Sequence, residues 1–171
     1  MKLSQVVYSV RIFKFLLILT ALLSCESKQT NQTGTEPISH ELWNQVLINY
    51  VDTSGRVNYR GLKEDHKILL DYLELLRSNR PNKECWNKKE SLAYWINLYN
   101  AFTLKLIIDH YPLKSIKKIG SMVQIPFINS PWDIECIDFG DEKISLNYVE
   151  HQILRKSFDE PRIHFAINCA S

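Results

Sequence analysis

Between Glu90 and Ile108 the chain reads Glu-Ser-Leu-Ala-Tyr-Trp-Ile-Asn-Leu-Tyr-Asn-Ala-Phe-Thr-Leu-Lys-Leu-Ile-Ile, with no glycine or proline. That length gives about five helical turns at ~3.6 residues per turn. Leu92, Trp95, Tyr99, Phe102 and Leu106 fall on one face, and Tyr94, Ala101, Leu104 and Ile108 on the opposite one. A helix that is apolar all round belongs either in a core or in a membrane. Glu90, Asn97 and Asn100 within the run argue against the membrane, so the stretch is expected to be a buried central helix over about 90–110.

Those polar residues need partners, because a buried amide or carboxylate left unpaired costs about 1–3 kcal/mol or more. Glu90, Asn97 and Asn100 lie within about a quarter-turn of one another. Two readings follow. Either they satisfy backbone groups of neighbouring segments, or they line a polar pocket.

The opening of the chain has a different character. Arg11 and Lys14 precede Phe15-Leu16-Leu17-Ile18-Leu19-Thr20-Ala21-Leu22-Leu23, a run too short for the ~20 residues of a spanning helix. This is the layout of an export signal over 1–24. Leu22-Leu23-Ser24-Cys25 resembles the lipobox of bacterial lipoproteins, which implies cleavage before Cys25 and lipid on its thiol, a stable anchor when more than one acyl chain is added. Residues 25–37 are polar and aperiodic, as expected of a tether from membrane to domain. The domain is then expected over 38–171, in the bacterial cell envelope, in the periplasm or at the cell surface.

Charge excludes one partner class. Of the 21 basic residues, Lys2, Arg11 and Lys14 lie in the first 24 residues, which hold no acid, so 18 remain against 19 acids. A near-neutral mature chain offers no electrostatic footprint for nucleic acid. Beyond Cys25 the cysteines are Cys85, Cys136 and Cys169, none in a C-x-x-C pair, and no His-x-x-x-His occurs. No metal site and no cofactor are expected.

Ser39 is placed to cap a helix carrying Leu42, Trp43, Val46 and Leu47. A hairpin is expected to turn at Ser54-Gly55, and a second amphipathic helix carries Ile68 to Leu76. After a proline-containing loop at 125–132, Ile134, Cys136 and Ile137 lead to a turn at Gly140-Asp141 and on to Ile144, a second hairpin. Ser145 caps a helix from Leu146 to Phe158, with Glu150 inside its apolar stripe and His151 at the margin. Arg162 to Cys169 alternates as a strand would. The fold class expected is α+β: a helix-rich single domain around the buried central helix, with a small, mainly antiparallel sheet from the last third.

Several of these stretches together carry a family pattern. Tyr50-Val51-Asp52 with Val57-Asn58-Tyr59, Ala93-Tyr94-Trp95-Ile96-Asn97-Leu98-Tyr99-Asn100-Ala101, Pro131-Trp132, Ser145-Leu146-Asn147, Glu150-His151-Gln152 and Pro161-Arg162-Ile163-His164-Phe165-Ala166-Ile167-Asn168-Cys169 occur in that order. The chain resembles domain-of-unknown-function family 547 from about Leu42 onward. The resemblance implies no settled activity. It does imply that family members continue past Asn168-Cys169-Ala170-Ser171, so the domain is expected to be incomplete at its C-terminus.

Two functional expectations follow. One is a non-catalytic binding module for a small ligand, peptide or envelope partner, with Glu90, Asn97, Asn100, Arg162, His164 and Asn168 lining a polar pocket. The other is a hydrolase or acyltransferase acting on an amide or thioester. In that reading Cys169 is the nucleophile, His151 its base and Glu150 or Glu90 the group that fixes the imidazole tautomer; Asn97, Asn100 and Asn168 supply oxyanion donors. Strand alternation puts His164 and Cys169 on opposite faces, which makes His151 the better base.

Overall fold

The computed structural model describes residues 33–34, 36–119 and 130–169. The stretch expected as an export signal over 1–24, Cys25, most of the expected tether and residues 125–129 of the proline loop lie outside the described residues. The elements in chain order are β1 (Thr33–Gly34), α1 (Glu41–Tyr50), α2 (Tyr59–Glu64), α3 (Lys67–Ser78), β2 (Arg80–Pro81) and α4 (Lys88–His110). Two 3-10 turns follow at Ile116–Lys118 and Pro131–Asp133, then β3 (Ile137–Asp138) and β4 (Lys143–Ile144). A composite helix comes next: α5 (Leu146–Tyr148), a π-helical stretch over Val149–Leu154, and α6 (Arg155–Ser157). α7 (Ile163–Ala166) is the last element. The expected helix-rich α+β architecture is what the chain adopts.

α4 is the centre. Tyr94, Leu98, Tyr99, Ala101, Phe102, Thr103, Leu104, Leu106, Ile107 and Ile108 are all buried, so neighbouring segments cover most of the helix surface. Its single fully buried polar side chain, Thr103, donates to the Tyr99 carbonyl one turn back (2.8 Å). Its start is set by Asn87. The Asn87 side chain accepts from the N–H groups of Lys89 and Glu90, while the Glu90 carboxylate accepts from the Asn87 N–H at 2.7 Å. This reciprocal arrangement satisfies donors that every helix start otherwise leaves open. Among the described residues no helix is long and apolar enough to cross a membrane.

α3 packs antiparallel to α4, tied by the Tyr94 hydroxyl, which donates to the Leu76 carbonyl at 2.7 Å. α1 packs on the other flank of α3. Trp43 stacks on Tyr72 with ring centroids 5.7 Å apart, and His40 Nδ1 lies 2.7 Å from the Tyr72 hydroxyl. Burial lowers the His40 pKa below its ordinary 6.5, because charging the ring there forfeits hydration. The unfolded chain therefore takes up this proton first as pH falls. The contribution is intact above 6.5 and is lost as pH drops through 6.5 towards the lower folded value. Melting curves followed from neutral to mildly acidic pH should show a falling Tm, and His40→Gln should make that fall shallower. An identical pH dependence in the variant would rule His40 out.

Between α1 and α2 the expected hairpin is present as a Val51–Val57 antiparallel bridge. Gly55 takes φ +80 at its turn, a conformation open to glycine at little cost. β3 and β4 pair antiparallel, Ile137 with Ile144, around Gly140 at φ +89. This hairpin leans on the N-terminal part of α4: Phe139 meets Trp95 edge-on at 6.3 Å and carries the Arg80 guanidinium over its ring at 4.4 Å. Thr33–Gly34, within the stretch expected as tether, pairs in parallel with Arg80–Pro81.

One expected element is corrected. Arg162 to Cys169 is not a strand; Ile163–Ala166 forms a single helical turn, after which Ile167 is extended. The Glu160 carboxylate accepts from the Arg162 N–H (3.0 Å) and grips its guanidinium, which folds the chain back locally after Pro161. Ile163 and Ile167 are buried four residues apart, while Phe165 between them is 86 % exposed. Helical spacing, not alternation, selects the buried residues.

Candidate functional site

The polar groups of α4 reach the C-terminal segment through Asn100. Its Nδ2 donates to the Ala166 carbonyl at 3.0 Å, and its Oδ1 accepts from the Asn168 N–H at 2.8 Å. One side-chain amide thus brackets Ile167, doing for that residue what a neighbouring strand would do. The bracket delivers Cys169, exposed to solvent, to the flank of the central helix.

Tyr99 precedes Asn100 and is almost completely buried. Burial pushes its phenol well above the ordinary value; the charges of Glu150 and Cys169 push the same way, and Arg155 opposes them. Tyr99, Glu150, Arg155 and Cys169 are therefore within electrostatic reach of one another. The π-helical stretch explains the presence of Glu150 here. The Arg155 N–H bonds the Glu150 carbonyl five residues back, and the same register brings the Arg155 side chain onto the Glu150 carboxylate, with Nη2 at 2.6 Å and Nε at 3.1 Å. A regular α-helix puts i and i+5 on different faces.

The other residues singled out from the sequence are dispersed. Glu90 closes the cap of α4, and Asn97 is half-buried on that helix. His151 is exposed on the π-helical stretch, while its neighbour Glu150 turns to Arg155. Arg162 is exposed and paired with Glu160 (2.5 Å), and His164 is exposed, edge-on to Phe165 at 5.5 Å. The structure thus brings together Asn100, Asn168, Cys169 and Glu150, while Glu90 is committed to the helix cap, Arg162 to Glu160 and His164 to Phe165. Tyr99, which the sequence assigned to the apolar face of the central helix, and Arg155 are the further members of the group. Cys85 and Cys136 are free thiols. Among the described residues no cluster of His, Cys, Asp and Glu is placed to hold a metal ion.

A second feature lies between α3 and α4. A cleft of about 450 Å³ is lined by the buried Leu73, Phe102 and Leu106, by the exposed Leu70 and by charged side chains from both helices. Cys136, half-buried, forms part of the wall, and its surroundings push the thiol up to about 11, chiefly by desolvating the thiolate. Nothing in the periodicity of either helix announced this cleft, since Leu73, Phe102 and Leu106 read as ordinary core.

No curated protein and no solved structure matches the chain. A family model does match, over residues 83–171, which takes in α4, both hairpin strands, the π-helical stretch and the C-terminal bracket; the Tyr50–Tyr59 motif stands outside that span. With more than half of its length matched, the chain belongs to the family described as Protein of unknown function, DUF547.

Proposed function

We propose that the protein is an exported lipoprotein of the bacterial cell envelope, held to a membrane through Cys25, whose domain binds a small ligand, a peptide or an envelope partner without transforming it. The observation that carries the binding part is the α3–α4 cleft. Its volume lies within the range of small-molecule sites, about 300–1,000 Å³, and its lining sets Leu70, Leu73, Phe102 and Leu106 beside charged side chains of both signs. The anchor rests on the basic residues, short apolar run and Leu22-Leu23-Ser24-Cys25 of the first 25 positions.

The cysteine–histidine hydrolase or acyltransferase is the alternative, favoured by the exposure of Cys169 beside Tyr99 and Glu150. Against it stands the commitment of the proposed orienting carboxylate, Glu150, to Arg155 rather than to His151. Asn100 likewise spends its amide donor on the Ala166 carbonyl rather than on a developing oxyanion.

The anchoring is tested by expressing the whole chain in bacteria supplied with a clickable palmitate analogue. The wild type should incorporate label and sediment with membranes. Cys25→Ala should lose the label entirely. Equal labelling of the two, or an unlabelled wild type, overturns the lipoprotein reading.

A further inference from the structure

The lining of the α3–α4 cleft carries both signs of charge beside apolar side chains. Asp71, Glu74 and Asp109 contribute carboxylates, and Arg77 and Lys105 contribute cations. Each is engaged with a neighbour on its own helix: Lys67 with Asp71 at 2.6 Å, Lys105 with Asp109 at 2.5 Å, and Arg77 with Glu74. Exposed pairs at helical spacing contribute little, because solvent screens them and ordering long side chains offsets the gain. Such groups can exchange one another for a ligand at small cost.

A purely apolar ligand leaves these charges unused, a simple cation meets Lys105 and Arg77, and a simple anion meets three carboxylates. A zwitterion with apolar side chains satisfies every part of the cleft. Size points the same way. Asp71 and Arg77 are six residues apart on α3, about 9 Å along the axis. A dipeptide with free ends separates its charges by roughly 7 Å, and flexible side chains close the difference.

We infer that this cleft binds short apolar peptides through their free termini: the ammonium to the lining carboxylates, the carboxylate to Lys105 and Arg77, and the side chains on Leu70, Leu73, Phe102 and Leu106. The inference rests on the binding reading above and gives it a ligand class.

Cys136 in the cleft wall makes occupancy visible. The full chain is alkylated in long incubations at pH 7, where the peptide's α-ammonium (ordinary pKa about 7.7–8.0) keeps its charge, with and without millimolar L-leucyl-L-leucine, and Cys85 and Cys169 serve as internal references by peptide mass spectrometry. The dipeptide should slow Cys136 alone. N-acetyl-leucyl-leucinamide, which lacks both charges, should need about tenfold or more higher concentration for the same protection. Lys105→Ala should narrow the gap between the free acid and its amide, while the wild-type comparison stands without any variant. No protection of Cys136 by the dipeptide, or equal protection by the blocked peptide, overturns the inference. The binding reading itself fails on a different result, a His151-dependent Cys169.

Discussion

Trp95→Ala is expected to lower the stability of the domain by about 3–5 kcal/mol, the usual cost of emptying a buried aromatic site. Trp95 is 8 % exposed on α4 and touches two partners edge-on: Tyr94 at 5.0 Å and Phe139 at 6.3 Å. Phe139 in turn supports Arg80, whose guanidinium pairs with Glu142 at 2.6 Å. Removing the indole leaves a cavity against α4 and takes away the surface on which the β3–β4 hairpin rests. At ~2–4 °C per kcal/mol for a chain of this size, Tm should fall by roughly 6–20 °C. Hydrogen exchange should show Phe139, whose N–H bonds the Glu142 carbonyl, losing protection more than the α1–α3 pair does. Trp95→Phe keeps an aromatic body there and should cost less than half as much. A Tm for Trp95→Ala within about 2 °C of wild type, against the ~6–20 °C anticipated from the cavity cost, would remove Trp95 from the set of residues that hold the core.

Asn100→Ala should release the C-terminal segment. Two hydrogen bonds disappear, and the Asn168 N–H and Ala166 carbonyl lose the Asn100 amide that pairs with them. Net losses of ~1 kcal/mol per bond put the change at roughly 1–3 kcal/mol, held to the lower part by the solvent available to that exposed segment. Asn100→Asp separates the two bonds: it keeps an acceptor for Asn168 and abolishes the donor to Ala166, so its cost should be intermediate. Limited proteolysis after α6 should accelerate in Asn100→Ala while cleavage near α1 is unchanged. Equal protease resistance in all three proteins would mean that the bracket does not hold the segment.

The central helix was legible because its signal is redundant: no breaker across the run, apolar residues on both faces and Tyr111-Pro112 to end it. The hairpins were legible at Gly55 and Gly140, where turn chemistry is local. α2 was not anticipated, although Asn58 announces it by accepting the Gly61 N–H at 3.0 Å. Glu90 shows how a polar residue can be placed correctly and interpreted too ambitiously: Asn87-Lys88-Lys89-Glu90 is a helix-start pattern, and the carboxylate closes it. Arg162–Cys169 misled because alternation indicates a strand only where another strand is there to pair, and here the partner is a single asparagine side chain. The π-helical stretch was invisible to a wheel drawn at about 100° per residue, and with it the Glu150–Arg155 pairing. For the site, the grouping of Asn100, Asn168 and Cys169 depends on contacts 66 and 68 residues apart, which no local periodicity encodes.

The decisive measurement is the rate of Cys169 alkylation against pH, by iodoacetamide and peptide mass spectrometry, in the wild type and in His151→Ala. Because His151 stands out in solvent and Glu150 is bound to Arg155, the two pH–rate profiles should superimpose. A profile in the wild type that is shifted to lower pH and returns on His151→Ala would reveal a thiolate worked by that imidazole. It would contradict the binding module in favour of a cysteine–histidine enzyme.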